Sequence, residues 1–190
     1  FVTDPASVAA NLRRPMPERP YRATRLGTLF HSWVEERYGV GGTAEEIDSF
    51  ASELDHDDIP LEHTELARLQ ATFENSVWAT RAPVEVEREI HLILDGQIIV
   101  CKIDAVYFDG ERYEVVDWKT GKAPKDAQDL QDKQLQLALY RLAYARWKGI
   151  DPDLIDAVFY YVTDNAVIRP ATIFNETELI DLWRSSVGMP

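Results

Sequence analysis

Apolar residues at helical spacing, Leu26, Leu29, Phe30, Trp33 and Val34, predict an amphipathic helix over about Ala23–Tyr38, which Gly39, Gly41 and Gly42 stop. Upstream, Pro5, Pro15, Pro17 and Pro20 make residues 1–22 read as an extended, linker-like lead-in, because proline lacks a donor and disfavours a helix before it. The acidic stretch that follows reads as a loop with a short helix around Thr43–Leu54. A clearer helix, about Thr64–Ala79, carries Leu66, Leu69, Phe73 and Val77.

From Pro83 the period changes from 3.6 to 2. Val84, Val86, Ile90, Leu92 and Leu94 are expected on one face of a strand, with Glu85, Glu87, Glu89 and His91 on the other. Asp95-Gly96 is a strong hairpin signal, the strand Gln97–Phe108 follows, and Asp109-Gly110 turns the chain into Arg112–Lys119. A three-stranded meander is the result. A helix over about Ala127–Lys148 should end at Gly149, and Leu154–Thr163 and Val167–Phe174 read as two further strands. Asn175 and Glu178 form a capping-box start for a last helix, Glu176 to about Ser186.

Composition narrows the functional classes. No run of apolar residues approaches a membrane span, and no basic-then-apolar leader opens the chain, so a membrane partner is not expected and a cytoplasmic home is. The single cysteine, Cys101, excludes an intramolecular disulfide, a four-cysteine zinc site and a four-thiolate iron–sulfur cluster. A net charge of −13 repels nucleic acid at long range, yet the charge is uneven: Gly39–Ala67 holds acids and no Lys or Arg, while Arg13, Arg14, Arg19, Arg22 and Arg25 cluster near the start. The balance alone does not choose the partner. The chain opens at Phe1 on the Pro/Arg-rich stretch, and the expectation is a piece of a longer polypeptide.

The chemistry concentrates where polar residues interrupt apolar strands. Alternation puts Asp117 and Lys119 on one face of the third strand, and Asp104 breaks the apolar run Cys101–Val106 across the hairpin. Two carboxylates converging beside a lysine make a site for a hard cation such as Mg²⁺ or Mn²⁺. On the predicted helices, Gly27 precedes His31 by one turn and Gln136 precedes Tyr140 by one turn, so each pair shares a face.

In Val115-Val116-Asp117-Trp118-Lys119-Thr120-Gly121 and Gln136-Leu137-Ala138-Leu139-Tyr140, with His31 and Asp104 before them, the sequence resembles the nuclease domains of RecB/AddAB/AdnAB-type helicase-nucleases, the C-terminal domains of UvrD-like motors within the PD-(D/E)-x-K superfamily. The resemblance runs from about Arg25 to Tyr161. It implies a restriction-endonuclease-like α/β fold, a central mixed sheet flanked by helices, with 23–190 as a single nuclease domain. It also implies that His31, Asp104, Asp117 and the main-chain carbonyl of Trp118 hold Mg²⁺ or Mn²⁺, that Lys119 orients or activates the attacking water, and that Gln136 and Tyr140 support the lysine and the phosphate. Lys122, Lys125 and Arg25 are the expected DNA contacts.

The implied activity is metal-dependent hydrolysis of single-stranded DNA in double-strand-break repair, by a nucleoid-associated bacterial protein lacking an iron–sulfur cluster. A helicase motor on the same or a partner chain would deliver the strand, since no G-x-x-x-x-G-K-[S/T] loop is present here. Two alternatives stay open: a catalytically inactive nuclease-like domain that binds DNA or a subunit, and a stand-alone nuclease like the CRISPR-associated ones. The family's usual glycine three residues before the first metal-binding aspartate is Cys101 here.

Overall fold

The computed structural model describes residues 22–39, 59–124 and 127–187. The anticipated helix over Thr43–Leu54, most of the Pro/Arg lead-in and Lys125 lie outside the described residues.

Among the described residues the elements run α1 (Arg22–Arg37), α2 (Ile59–Glu74), β1 (Glu85–Leu94), β2 (Gln97–Phe108), β3 (Tyr113–Lys119), α3 (Ala127–Lys148), β4 (Ile155–Tyr161), β5 (Ala166–Ile168) and α4 (Glu176–Val187). One sheet has the order β1-β2-β3-β4-β5. β1, β2 and β3 form the antiparallel meander, β3 and β4 are parallel, and β5 returns antiparallel, so the sheet is mixed. A parallel pair needs a crossover, which α3 supplies.

Each sheet face has its own core. α3 and α4 cover Ile90, Leu92, Leu94, Ile99, Cys101, Ile103 and Phe159. On the other face α1 and α2 bring Phe30, Val34, Leu69 and Phe73 onto Ala105, Tyr107, Val116, Trp118 and Tyr160. Cys101 is fully buried in the α3-side core, and burial pushes its thiol up to about 12. It fills the position as a small apolar residue without opening the hairpin.

Local chemistry explains the element ends. Asp95 and Gly96 have φ of 48° and 73°, the left-handed pair that a two-residue hairpin turn demands. At the end of α3, Gly149 at φ 71° lets its own N–H and that of Ile150 bond back to the Ala145 carbonyl. Asn175 Oδ1 accepts from Glu178 N at 3.0 Å while Glu178 Oε2 accepts from Asn175 N at 2.8 Å, a reciprocal cap on α4.

Some elements differ from the sequence reading. α2 starts at Ile59, with Pro60 in the first turn where proline is tolerated, and ends at Glu74. Val77 is therefore exposed, and Trp78 takes the buried place instead. The last strand is only Ala166–Ile168, because Pro170 has no N–H to continue the ladder. Val84 is exposed, and the alternation anticipated for β1 breaks at Glu87, whose φ is 48°.

Candidate active site

The meander ladder between β2 and β3 runs from Phe108 opposite Tyr113 to Ala105 opposite Val116. Asp104 and Asp117 occupy the next position of that register, where the strands part. In place of a ladder bond, Asp104 Oδ2 accepts from the Trp118 main-chain N–H at 2.7 Å. Alternation in β2 slips at this point: Ile103 and Val106 face α3, whereas Ala105 and Tyr107 face α1. Both carboxylates are buried, Asp117 being 2% exposed and Asp104 8%.

On the α3 side, Lys119 Nζ lies 2.6 Å from Asp117 Oδ2 and donates to Gln136 Oε1 at 3.0 Å. Gln136 Nε2 donates to Asp117 Oδ1 at 3.0 Å and to Tyr140 Oη at 2.9 Å. One amide thus spans the acid, the base and the phenol, as the one-turn spacing of Gln136 and Tyr140 allows. Tyr140 is 6% exposed, with its hydroxyl turned to Gln136.

On the other face, α1 carries His31 to the fork. Its Nδ1 is 3.6 Å from Asp104 Oδ1 and 3.5 Å from Glu87 Oε1. Glu87, which sequence reasoning placed on a solvent face, has its side chain enclosed here. The only signal in the sequence is that it stands opposite Asp104 in the hairpin register, between the pairs Val86–Ala105 and Arg88–Ile103. Trp118, behind the fork, packs against Phe73 with ring centres 5.6 Å apart, and the His31 ring is 6.3 Å from it. A Cβ on Gly27 would come within 3.3 Å of Thr120 Oγ1, so the bare position lets α1 close on the loop after Lys119. That loop is pinned by Thr163 Oγ1 donating to the Thr120 carbonyl at 2.6 Å and by Asp164 Oδ2 accepting from Ala123 N at 2.8 Å.

The electrostatics are those of an anionic cage. Burial, with Asp117 adding to it, raises Asp104 to about 7. Burial of the imidazole opposes its charge, but Glu87, Asp104 and Asp117 outweigh that and raise His31 to about 9. Burial likewise opposes charge on Glu87, yet His31 and Lys102 hold its carboxyl below the usual range. Protons and a lysine therefore stand where compact positive charge is wanted.

The structure brings His31, Asp104, Asp117, Lys119, Gln136 and Tyr140 to one place. Trp118 is held there by its amide. Of the expected DNA contacts, Lys122 is exposed on the loop after β3, Arg25 is half-buried on α1, and Lys125 lies outside the described residues. No described helix is long and apolar enough to cross a membrane.

Residues 6–187 match the family model of the PD-(D/E)XK nuclease superfamily. The chain belongs to that superfamily. Its mixed five-stranded sheet flanked by helices is the restriction-endonuclease-like fold of the family. Among solved structures, it resembles a candidate exonuclease from Eubacterium rectale with a TM-score of 0.56 and 14% identity, covering 92% of this chain and 71% of that one. That likeness is one of fold. The crystal structure of SSO0001 aligns over 96% of this chain and 82% of its own, at 16% identity, but its TM-score of 0.39 is too low to add to the comparison. No curated protein matches the sequence significantly.

Proposed function

We propose that the chain is a metal-dependent deoxyribonuclease acting on single-stranded DNA, the nuclease module of a helicase-nuclease in double-strand-break repair. The observation that carries this reading is the pair of buried carboxylates, Asp104 and Asp117, at the mouth of the β2–β3 fork, with Lys119 held beside them by Gln136. In this reading His31, Asp104, Asp117 and the Trp118 carbonyl are the cation ligands. The donor set fits the ion: carboxylate oxygens with one imidazole suit Mg²⁺ or Mn²⁺, and Asp104, which burial and then Asp117 raise to about 7, is a carboxyl whose ionised form a cation would stabilise.

The bound ion supplies neutralisation of phosphate charge and acidification of a water. The chain's own residues do the rest. Lys119 presents an ammonium to the charge that develops in phosphoryl transfer, while Gln136 fixes its direction and keeps Asp117 in place. Tyr140 locks the Gln136 rotamer. His31 contributes once its proton is lost, so ion and proton compete for it. Lys122 and Arg25, with Lys125 three residues after Lys122 in the sequence, guide the strand.

The net charge of −13 supports delivery by a motor over free capture, since a polyanion gains little from long-range attraction to this chain. Tethering would replace encounter by an effective concentration on the order of millimolar. The test is cleavage by the isolated chain of circular and linear single strands and of duplex, with Mn²⁺ against EDTA, over a range of salt. Cleavage of single strands that needs high protein concentration and falls steeply with salt supports the reading. Preferential cutting of duplex at nanomolar protein would overturn the single-strand and motor-fed parts of it.

A further inference from the structure

Glu87 holds a backbone conformation that a long side chain rarely adopts, φ 48° in the middle of a strand. The register is unbroken on both sides of it, so no extra residue has been inserted. The left-handed residue instead turns its own side chain out of the β1 alternation and under α1. Strain kept within a strand is an observation that asks for a compensating interaction.

The carboxylate ends up 6% exposed, with its two oxygens in unlike surroundings. Oε2 is 2.6 Å from Lys102 Nζ. Oε1 is buried, accepts no hydrogen bond, and faces His31 Nδ1 at 3.5 Å. Asp104 Oδ1 faces the same nitrogen at 3.6 Å. One ligand atom each from His31, Glu87 and Asp104 lies within 4.8 Å of the others.

At 3.5 and 3.6 Å the imidazole nitrogen is beyond good hydrogen-bond distance of either oxygen. Ligand atoms about 2.1 Å from an octahedral ion stand about 3.0 Å apart when adjacent and about 4.2 Å when opposite. To reach the adjacent spacing, His31 Nδ1 and each of the two carboxylate oxygens would close by about 0.5–0.6 Å. Asp117 Oδ1 accepts from Gln136, and its Oδ2, which like Glu87 Oε1 accepts no hydrogen bond, lies 2.6 Å from the Lys119 ammonium as an ion pair.

Building on the reading of this site as a cation site, we propose that Glu87 is a ligand of the cation through Oε1, with His31 and Asp104. The left-handed backbone at Glu87 aims the carboxylate, and Lys102 occupies the oxygen that does not bind.

Calorimetric titration of Mn²⁺ into the full chain, with thermal melts with and without the ion, separates this from a structural role. Glu87→Gln should lower Mn²⁺ affinity about tenfold or more; the melting temperature without metal should also fall, since the charge that His31 and Lys102 hold ionised is lost, so affinity is the deciding readout. Lys102→Met, which removes the partner of Oε2 and leaves the ligand, should keep affinity within about threefold or raise it. Equal affinity in Glu87→Gln and wild type would overturn the proposal, as would matching losses in the two variants. Should Glu87→Gln not fold, Glu87→Asp decides in the same way, because it keeps the charge and withdraws the oxygen. Asp104→Asn tells the two readings apart. If it abolishes Mn²⁺ binding while Glu87→Gln does not weaken it, Glu87 is excluded and the cation site stands. A wild-type chain that binds no Mn²⁺ overturns both.

Discussion

Lys119 Nζ stands 2.6 Å from Asp117 Oδ2, two residues away on the same face of β3. In the metal-free chain the ammonium thus neutralises a carboxylate that a cation would otherwise claim. In the proposed reading, an ion held by Asp117 would leave Lys119 free for the reacting phosphate. Lys119→Ala should therefore reduce cleavage by about 10²–10³-fold or more, as loss of a preorganised charge does. Mn²⁺ affinity should be retained or increased, because the competitor for Asp117 has gone. Single-turnover cleavage and calorimetry on one preparation check both; a loss of metal binding equal to the loss of rate would remove the lysine from this role.

Gln136 is the sole side chain among the described residues shown bonding to Asp117, Lys119 and Tyr140 together. Gln136→Ala should lower kcat about 10–100-fold while the fold is kept, as loss of an orienting partner typically does. Tyr140→Phe should cost much less, since its hydroxyl meets the site through Gln136. Far-UV circular dichroism and kcat measured side by side test the order, and a larger loss in Tyr140→Phe would place its hydroxyl on the substrate.

The pKa shifts give a signed prediction for the metal-free chain. His31 is raised from 6.5 to about 9, so its contribution is fully present below about 6.5 and is lost as pH rises through about 9. Asp104 is raised from 3.8 to about 7, so its ionisation also costs stability as pH rises through about 7. Both act in the same direction, because the folded chain holds protons that the unfolded chain has released. The melting temperature without metal should fall between about pH 6 and 9, saturating Mn²⁺ should flatten that fall, and Asp104→Asn should remove the part below about pH 7. A metal-free melting temperature that rises over this range contradicts the assignment of buried charge.

Phe73 links α2 to the back of the site: it is fully buried, edge-on to Trp118 at 5.6 Å and to Phe30 at 5.9 Å. Phe73→Ala should destabilise by about 3–5 kcal/mol. Denaturant unfolding measures it, and a loss below about 1 kcal/mol would mean that α2 does not support this core.

Much of this architecture is legible in the sequence, and the reasons differ by element. Asp95-Gly96, Gly149 and the Asn175/Glu178 box are local signals whose physics is complete within a few residues. The bounds of α3 follow from the same kind of signal, with Gly149 closing it. Asp104, Asp117, Lys119 and Gln136 could be brought together because strand register and helical spacing are regular there. Glu87 could not. Glutamate gives no hint of a left-handed backbone, and a strict period of 2 sends it to solvent. The early start of α2 was hidden for a similar reason, since Pro60 in an acidic stretch reads as a loop until the helix that it opens is in view.

The measurement closest to the central claim is cleavage of end-labelled single-stranded DNA by the full chain in Mn²⁺, in EDTA, and in Mn²⁺ with Asp117→Asn. The account predicts products with wild type and Mn²⁺ alone, none in EDTA, and a loss of at least about 10²-fold with Asp117→Asn, because the variant gives up one of the two carboxylates at the fork. Cleavage that persists in EDTA, or that Asp117→Asn leaves at the wild-type rate, would contradict it.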